Sequence, residues 1–152
     1  MAAVKLLLVA SAGGHLQQLY WTRPFWEKHE RVWVTFDTPE ANALLAGETI
    51  VFARHPTNRS LRALVTNLAL ARRVLRAHRP DLVITTGAGV GVPFVWAAKA
   101  RGIRSVFVEV YDRVDSRSLT GRLVAPFVDA ILLQREEQKV LYRQGRVLGP
   151  VR

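Results

Sequence analysis

The sequence predicts a single Rossmann-like α/β domain, a doubly wound and mostly parallel sheet with helices on both faces. Three observations predict it. Short apolar runs alternate with helical stretches along the chain. The runs are continuously apolar, as in strands covered on both faces. The length, 152 residues, is that of one ordinary domain with a sizeable core.

Residues 4–10 form the first predicted strand. Lys5 precedes Leu6-Leu7-Leu8-Val9-Ala10, a run shorter than a signal-peptide core that leads directly into Gly13-Gly14-His15. Residues 16–28 follow as a helix, 32–36 as a strand, 39–46 as a helix and 49–53 as a strand. The longest predicted helix covers 60–77 and is closed by Pro80. Residues 82–85 are a strand. Residues 92–100 are a helix, with Pro93 in its first turn and Gly102 after its end. Strands at 105–108 and 130–133 and helices at 118–126 and 135–143 complete the pattern. No internal repeat, low-complexity stretch or linker interrupts it, so residues 1–152 read as one domain.

Composition narrows the chemistry. With 49% hydrophobic and 22% charged residues the chain is not intrinsically disordered. The absence of cysteine excludes disulfides, thiolate catalysis and cysteine-based zinc or iron–sulfur sites. Four histidines without a paired spacing give no metal motif, and no metal or cofactor is expected. The longest uncharged run, residues 82–98, falls short of the ~20 residues a membrane helix needs. It is also interrupted by Gly87, Gly89, Gly91 and Pro93, so a cytoplasmic protein is expected. The formal charge of +10 points to a polyanionic partner: nucleic acid, an anionic membrane surface or a phosphorylated ligand.

In open α/β sheets ligands bind beyond the carboxyl ends of the strands, and four predicted strand ends carry chemistry. The first is Ser11-Ala12-Gly13-Gly14-His15. Its adjacent glycines permit a tight turn and close backbone approach, and the helix that follows presents free N–H groups to an anion. A plain tight turn is the alternative. The turn is neither G-x-G-x-x-G nor a P-loop, which argues against dehydrogenase-type or ATPase-type nucleotide binding. At this helix start an unprotonated His15 is a candidate general base, against simple local packing. The second end, Thr85-Thr86-Gly87-Ala88-Gly89-Val90-Gly91, reads either as ligand contact or as close packing of helix on sheet. At the third, Glu109 closes an apolar strand and Arg113 follows, a carboxylate that is either catalytic or paired with the arginine. Ser118-Leu119-Thr120-Gly121 supplies hydroxyls at a helix start, where an ordinary N-cap is the alternative. Gln134 marks the fourth end.

The helix at 60–77 is arginine-rich, with Arg62, Arg72, Arg73 and Arg76 in it and Arg59 and Arg79 flanking it. Leu61, Leu64, Val65, Leu68 and Leu75 fall on one face at helical spacing, with Leu70, Val74 and Ala63 opposite. Such a helix packs on the sheet with one side and touches a membrane with the other. A core helix with a solvated basic end is the alternative.

Taken in order, these segments resemble a family: the acceptor-binding subunit of two-component glycosyltransferases. Its members are the bacterial PssD-type polysaccharide-biosynthesis proteins and the eukaryotic Alg-fourteen subunit of the dolichol-linked GlcNAc transferase. The resemblance rests on Ser11–Leu16, Arg79-Pro80-Asp81, Thr86–Val90, Pro93, Glu109, Arg113, Ser118–Gly121 and Gln134, and covers nearly the whole chain. It implies the amino-terminal half of a GT-B glycosyltransferase. That half would hold a polyprenyl-pyrophosphate-linked sugar as acceptor, while a separate donor-binding subunit brings the nucleotide-sugar. A Gly-Gly-His loop occurs likewise in the single-chain transferase of the peptidoglycan lipid precursor, which implies the base role for His15. The resemblance assigns His15 and Glu109 to catalysis. It assigns Ser11, Gly13, Gly14, Thr86, Gly87, Gly89, Arg113, Ser118, Thr120 and Gly121 to acceptor and phosphate binding.

Membrane contact is expected through Arg59, Arg62, Arg72, Arg73 and Arg76, and partner contact through Gln134. The eukaryotic members carry an amino-terminal membrane helix that is not read in these residues, so peripheral attachment to the inner face of the cytoplasmic membrane is expected. Here Arg135 follows Gln134 where relatives often have an aromatic residue. Two other classes are weighed against this one. A basic nucleic-acid-binding module lacks recognised motifs and aromatics interleaved with the basic residues. A self-sufficient small enzyme for a phosphorylated ligand lacks a cysteine nucleophile and a carboxylate–metal cluster.

Overall fold

Residues 6–10 are apolar at every position, so a strand made from them needs cover on both sides, and it occupies the centre of the sheet. The computed structural model describes residues 4–55 and 60–151. The strands are β1 (Lys5–Ala10), β2 (Glu30–Thr35), β3 (Ile50–Phe52), β4 (Leu82–Gly87), β5 (Arg104–Val108), β6 (Ala130–Leu133) and β7 (Arg146–Val147). All are parallel, in the order β3-β2-β1-β4-β5-β6-β7. Side chains of β1 alternate between two cores. Leu7 and Val9 join Val32, Val34, Val83 and Phe94 on one face, and Leu6 and Leu8 join Leu16, Leu19, Trp26 and Trp33 on the other.

The helices are α1 (Gly14–Tyr20), α2 (Arg23–Trp26), α3 (Pro39–Leu44), α4 (Leu61–His78), α5 (Gly91–Ala100) and α6 (Leu119–Val124). The continuous helix expected at 16–28 is two. Pro24 has no N–H to donate and its ring collides with the preceding turn, so the chain stops at Tyr20 and restarts with Pro24 in a first turn. Thr22 Oγ1 donates to the Leu19 carbonyl across the break, at 2.7 Å. α5 has almost no polar face: Val92, Phe94, Val95, Ala97 and Ala98 are all buried. The long uncharged stretch of the sequence is therefore a central strand plus a central helix.

The helix expected at 135–143 is instead a 3-10 turn, Glu136–Val140, followed by β7. Its cause is Gln138, whose side chain folds back to accept from the Gln134 and Arg135 N–H groups and holds the chain in the tight turn. Among the described residues no helix is long and apolar enough to cross a membrane.

α4 begins at Ser60, whose Oγ accepts from the Ala63 N–H at 3.1 Å, a cap that satisfies one orphan donor. It packs through Ala63, Asn67, Ala71, Val74 and Leu75. The apolar set expected on one face is thus divided: Leu75 lies in the core, Leu64 and Leu68 are half-buried, and Leu61 and Val65 are 74% and 60% exposed. Helical geometry explains it. The sheet-facing arc is centred on Asn67, where the side chain bridges the Arg54 backbone, donating to its carbonyl and accepting from its N–H. Arg62, Arg72, Arg73 and Arg76 are exposed, and no ion pair among the described residues includes them. Arg59 lies outside the described residues.

Candidate functional site

The strand order reverses between β1 and β4, the place where open parallel sheets open a crevice. The two strands also part by a bulge there. Val9 pairs with Thr85 but Ala10 pairs with Gly87, so Thr86 is an extra residue on β4. Bulges re-aim side chains beside binding sites, and this one faces His15. The His15 Nδ1–H donates to the Thr86 carbonyl at 3.0 Å, and Thr86 Oγ1 donates to the His15 carbonyl at 2.6 Å. A carbonyl only accepts, so Nδ1 carries the proton and Nε2 of the neutral ring keeps its lone pair for other chemistry.

His15, Thr86, Gly87 and Gly89 line one cleft of about 500 Å³ with Glu109, Arg113, Ser118 and Thr120. These are eight of the residues expected to act together from four separate segments. Glu109 forms part of the wall and is 2% exposed. Its Oε1 accepts from the Val110 N–H at 2.9 Å and its Oε2 from the Tyr142 hydroxyl at 2.8 Å. Burial pushes its carboxyl above the ordinary carboxylate range, opposed by the bonds from Tyr142 and Val110 and by the charges of Arg113 and His15. No hydrogen bond joins Glu109 to His15 among the described residues. The group that orients the imidazole is the Thr86 carbonyl, not Glu109.

The remaining expected residues sit around the cleft in different ways. Gly13 and Gly14 are exposed at the turn before α1, and Ser11 is half-buried beside them. α1 has only seven residues, so its dipole is short. Ser118 caps α6, its Oγ accepting from the Gly121 N–H at 2.9 Å. Gly121 is buried behind the cleft rather than lining it. Gln134, expected to face a partner, is 3% exposed and is a brace inside the chain. Its Nε2 donates to Gln18 Oε1 at 2.7 Å and to the Glu109 carbonyl at 3.0 Å. Gln18 Oε1 also accepts from the Tyr111 N–H at 2.9 Å, while Gln138 Nε2 donates to the carbonyls of Val110 and Arg113.

Three glutamine side chains thus pin the loop from Glu109 to Arg113, since each amide offers both donors and an acceptor. Gln18, Gln138 and Tyr142 were not singled out from the sequence. Gln18 lies three residues beyond His15 in the same helix, the one signal that could have found it. Tyr142 is 33 residues from Glu109 and carried none.

A second, mainly apolar pocket of about 280 Å³ opens beside the cleft and shares Gly89, Leu119 and Thr120 with it. Leu61, Leu64 and Leu123 form its walls. Among the described residues no group of three histidine, aspartate or glutamate side chains is placed to hold a metal ion.

The family described as "Oligosaccharide biosynthesis protein Alg14 like" matches residues 50–151. The chain is 35% identical over 78 residues to the UDP-N-acetylglucosamine transferase subunit alg14 of Schizosaccharomyces pombe, covering 47% of this chain and 37% of that protein. It is 31% identical over 90 residues to the UDP-N-acetylglucosamine--N-acetylmuramyl-(pentapeptide) pyrophosphoryl-undecaprenol N-acetylglucosamine transferase of Geotalea uraniireducens, covering 59% of this chain and 24% of that protein. The chain spans less than half the length of the curated relatives it matches. In three dimensions, 97% of the chain superposes on 45% of Acinetobacter baumannii MurG, with a TM-score of 0.78 at 14% identity, which establishes the shared Rossmann-like lobe. A match over two thirds of the chain, carrying the loops that build the cleft from Thr86 to Gln134, places this protein in the Alg14-like family of oligosaccharide biosynthesis proteins.

Proposed function

We propose that this chain is the acceptor-binding half of a glycosyltransferase that uses a nucleotide-sugar such as a UDP-sugar, in oligosaccharide or exopolysaccharide biosynthesis. A second polypeptide supplies the donor lobe. The observation that carries the reading is the cleft at the β1/β4 switch point, where Nε2 of His15 is left free by the Thr86 carbonyl and Glu109 and Arg113 face the same space. Relatives named as transferase subunits, and superposition on one lobe of a longer chain, support it.

The acceptor is a sugar on a polyprenyl pyrophosphate. Its hydroxyl attacks the anomeric carbon of the nucleotide-sugar. The bond to the nucleotide diphosphate breaks, and the hydroxyl proton passes to His15 Nε2 as general base. Glu109 accepts a hydrogen bond from an acceptor sugar hydroxyl and fixes its orientation. Arg113, the N–H groups of the turn at Gly13 and Gly14, and the hydroxyls of Ser11, Ser118 and Thr120 hold the pyrophosphate. Gly87 and Gly89 keep the floor free of side chains.

The acceptor's lipid tail keeps the complex at the membrane. We place the arginine face of α4 against the anionic inner surface, because Arg62, Arg72, Arg73 and Arg76 are exposed beside Leu61 and Val65. The test is co-expression with candidate donor-lobe subunits, followed by transfer from labelled UDP-sugars to a polyprenyl-pyrophosphate sugar. The expected result is transfer by the pair and little by either chain alone. Turnover by this chain alone on the order of 1 per second or faster would overturn the division of labour.

A further inference from the structure

Tyr142 enters the site from behind. It follows the 3-10 turn, its ring is 1% exposed, and it packs edge-on against Phe107 with centroids 6.1 Å apart. It does not line the cleft, yet its hydroxyl reaches Glu109 Oε2 at 2.8 Å. The path exists only because residue 121 is glycine. A Cβ there would stand 1.9 Å from the Tyr142 hydroxyl oxygen and 3.1 Å from the ring carbon that bears it.

We propose that Tyr142 is a positioning residue for the transfer: its hydroxyl, passing over Gly121, holds Glu109 as a carboxylate with its free lone pairs turned to the acceptor. The proposal rests on the reading of the cleft as the acceptor site. A carboxylate has about four acceptor positions, and here Val110 N–H and Tyr142 O–H fill one on each oxygen. The side chain therefore cannot rotate without breaking both bonds, and the positions left over are open to the cleft. Phenylalanine would fill the same space without holding anything.

Charge explains why a phenol suits the place. Burial works against ionisation of Glu109, and Tyr142, Val110 N–H, Arg113 and His15 work for it. Burial and the neighbouring Glu109 push the Tyr142 phenol far above its usual range, against Arg117 and Arg113, so it stays a proton donor at every working pH. The Arg117 guanidinium lies 5.7 Å from the Tyr142 ring centroid and adds a cation on the outer side.

The experiment compares Tyr142→Phe, Gly121→Ala and the double variant in the co-expressed pair, using a polyprenyl-pyrophosphate sugar and a labelled UDP-sugar. Tyr142→Phe is expected to lower kcat on the order of 10- to 100-fold, leave KM for the UDP-sugar unchanged, and move the acidic limb of the kcat profile to higher pH. The sign follows from the lost donor: a carboxylate without it is harder to form. In this chain alone, the Glu109 carboxyl carbon observed by NMR should titrate at higher pH in Tyr142→Phe than in wild type. Gly121→Ala should match Tyr142→Phe. The double variant should be no worse than Tyr142→Phe alone, because the oxygen that the new methyl group would strike is gone.

Lowered thermal stability with an unmoved rate and pH profile would leave Tyr142 a structural residue and overturn the proposal. Glu109→Gln separates the two readings. If it slows transfer while Tyr142→Phe does not, only the positioning role fails. If it transfers at the full rate, the acceptor-site reading of Glu109 fails and the positioning role falls with it.

Discussion

Gly13 and Gly14, in the turn after β1, have nothing within 4 Å of where a Cβ would stand, whereas Gly87 and Gly91, in the turn after β4, are hemmed in. A Cβ on Gly87 would lie 3.1 Å from Phe107, and one on Gly91 would lie 2.6 Å from Thr85 Oγ1. The second turn is also wound tightly, with Gly87 at φ 100° and Ala88, not a glycine, at φ 57°. Two glycine turns that read alike in the sequence therefore do different work. The first leaves room for another molecule to approach the backbone. The second lets α5 settle on β4 and fixes Thr86, and through it the His15 ring. Space around a glycine, rather than its presence in a motif, separates a ligand loop from a packing loop.

The largest effect that tests this contrast is at the residue the two turns share. His15→Ala in the assembled pair is expected to cut turnover roughly 10²- to 10⁴-fold, with partner binding and melting temperature unchanged. Full activity would move the base to Glu109 or to the partner.

Gly91→Ala comes next. The new methyl group meets Thr85, whose Oγ1 also accepts from the Gly87 N–H at 2.9 Å, so the collision spreads into the turn. A loss of about 1–3 kcal/mol in urea unfolding is expected for such overpacking. Gly14→Val makes the opposite pair of outcomes. Its stability should stay within about 0.5 kcal/mol of wild type, as for an open surface position, while KM for the acceptor rises. If Gly14→Val instead destabilises and Gly91→Ala does not, the contrast is reversed.

Outside the turns, Arg72→Glu and Arg76→Glu on α4 are each expected to weaken sedimentation with anionic vesicles by roughly 1 kcal/mol or more, an effect that rising salt erases. Equal binding of wild type to neutral and anionic vesicles at low salt would remove the electrostatic part.

The smallest effect is a pH dependence. Glu109 is pushed up by burial in the folded chain, so between its unfolded and folded values the folded state holds more protons. Stability should therefore fall as pH rises from the ordinary carboxylate range to the raised folded value. Wild type minus Glu109→Gln in urea unfolding isolates this from Arg113, His15 and Tyr142, which face the same carboxyl.

The strands were legible because each is a continuous apolar run, and an apolar run covered on both faces has few other destinations. The members of the cleft were legible because they stand at the carboxyl ends of those strands. What the sequence concealed depends on side chains returning across long separations. Pro24 was visible but its break in the expected helix was overlooked. Gln138 converts an expected helix into a 3-10 turn by folding back on the Gln134 and Arg135 N–H groups. Gln134 looked like a surface residue at a strand end and is buried by bonds to Gln18 and Glu109. Tyr142 and Gly121 meet only in three dimensions. The arginine helix was read with its apolar face rotated, because spacing alone does not say which arc the sheet claims.

The place of β1 at the centre of the sheet has a consequence for how the chain is made. Its two neighbours are β2 and β4, and Lys5 finds the Asp81 carboxylate 76 residues later in the chain. At about 5–20 residues per second of synthesis, that interval lasts roughly 4 to 15 s. During it Leu6-Leu7-Leu8-Val9-Ala10 can pair with β2 on one side only, and its other edge is a bare apolar template of the kind that recruits other chains. The nascent protein is thus most vulnerable to aggregation before residue 87 has emerged, and synonymous changes that slow translation between β2 and β4 should lower the yield of soluble protein while leaving the finished fold untouched.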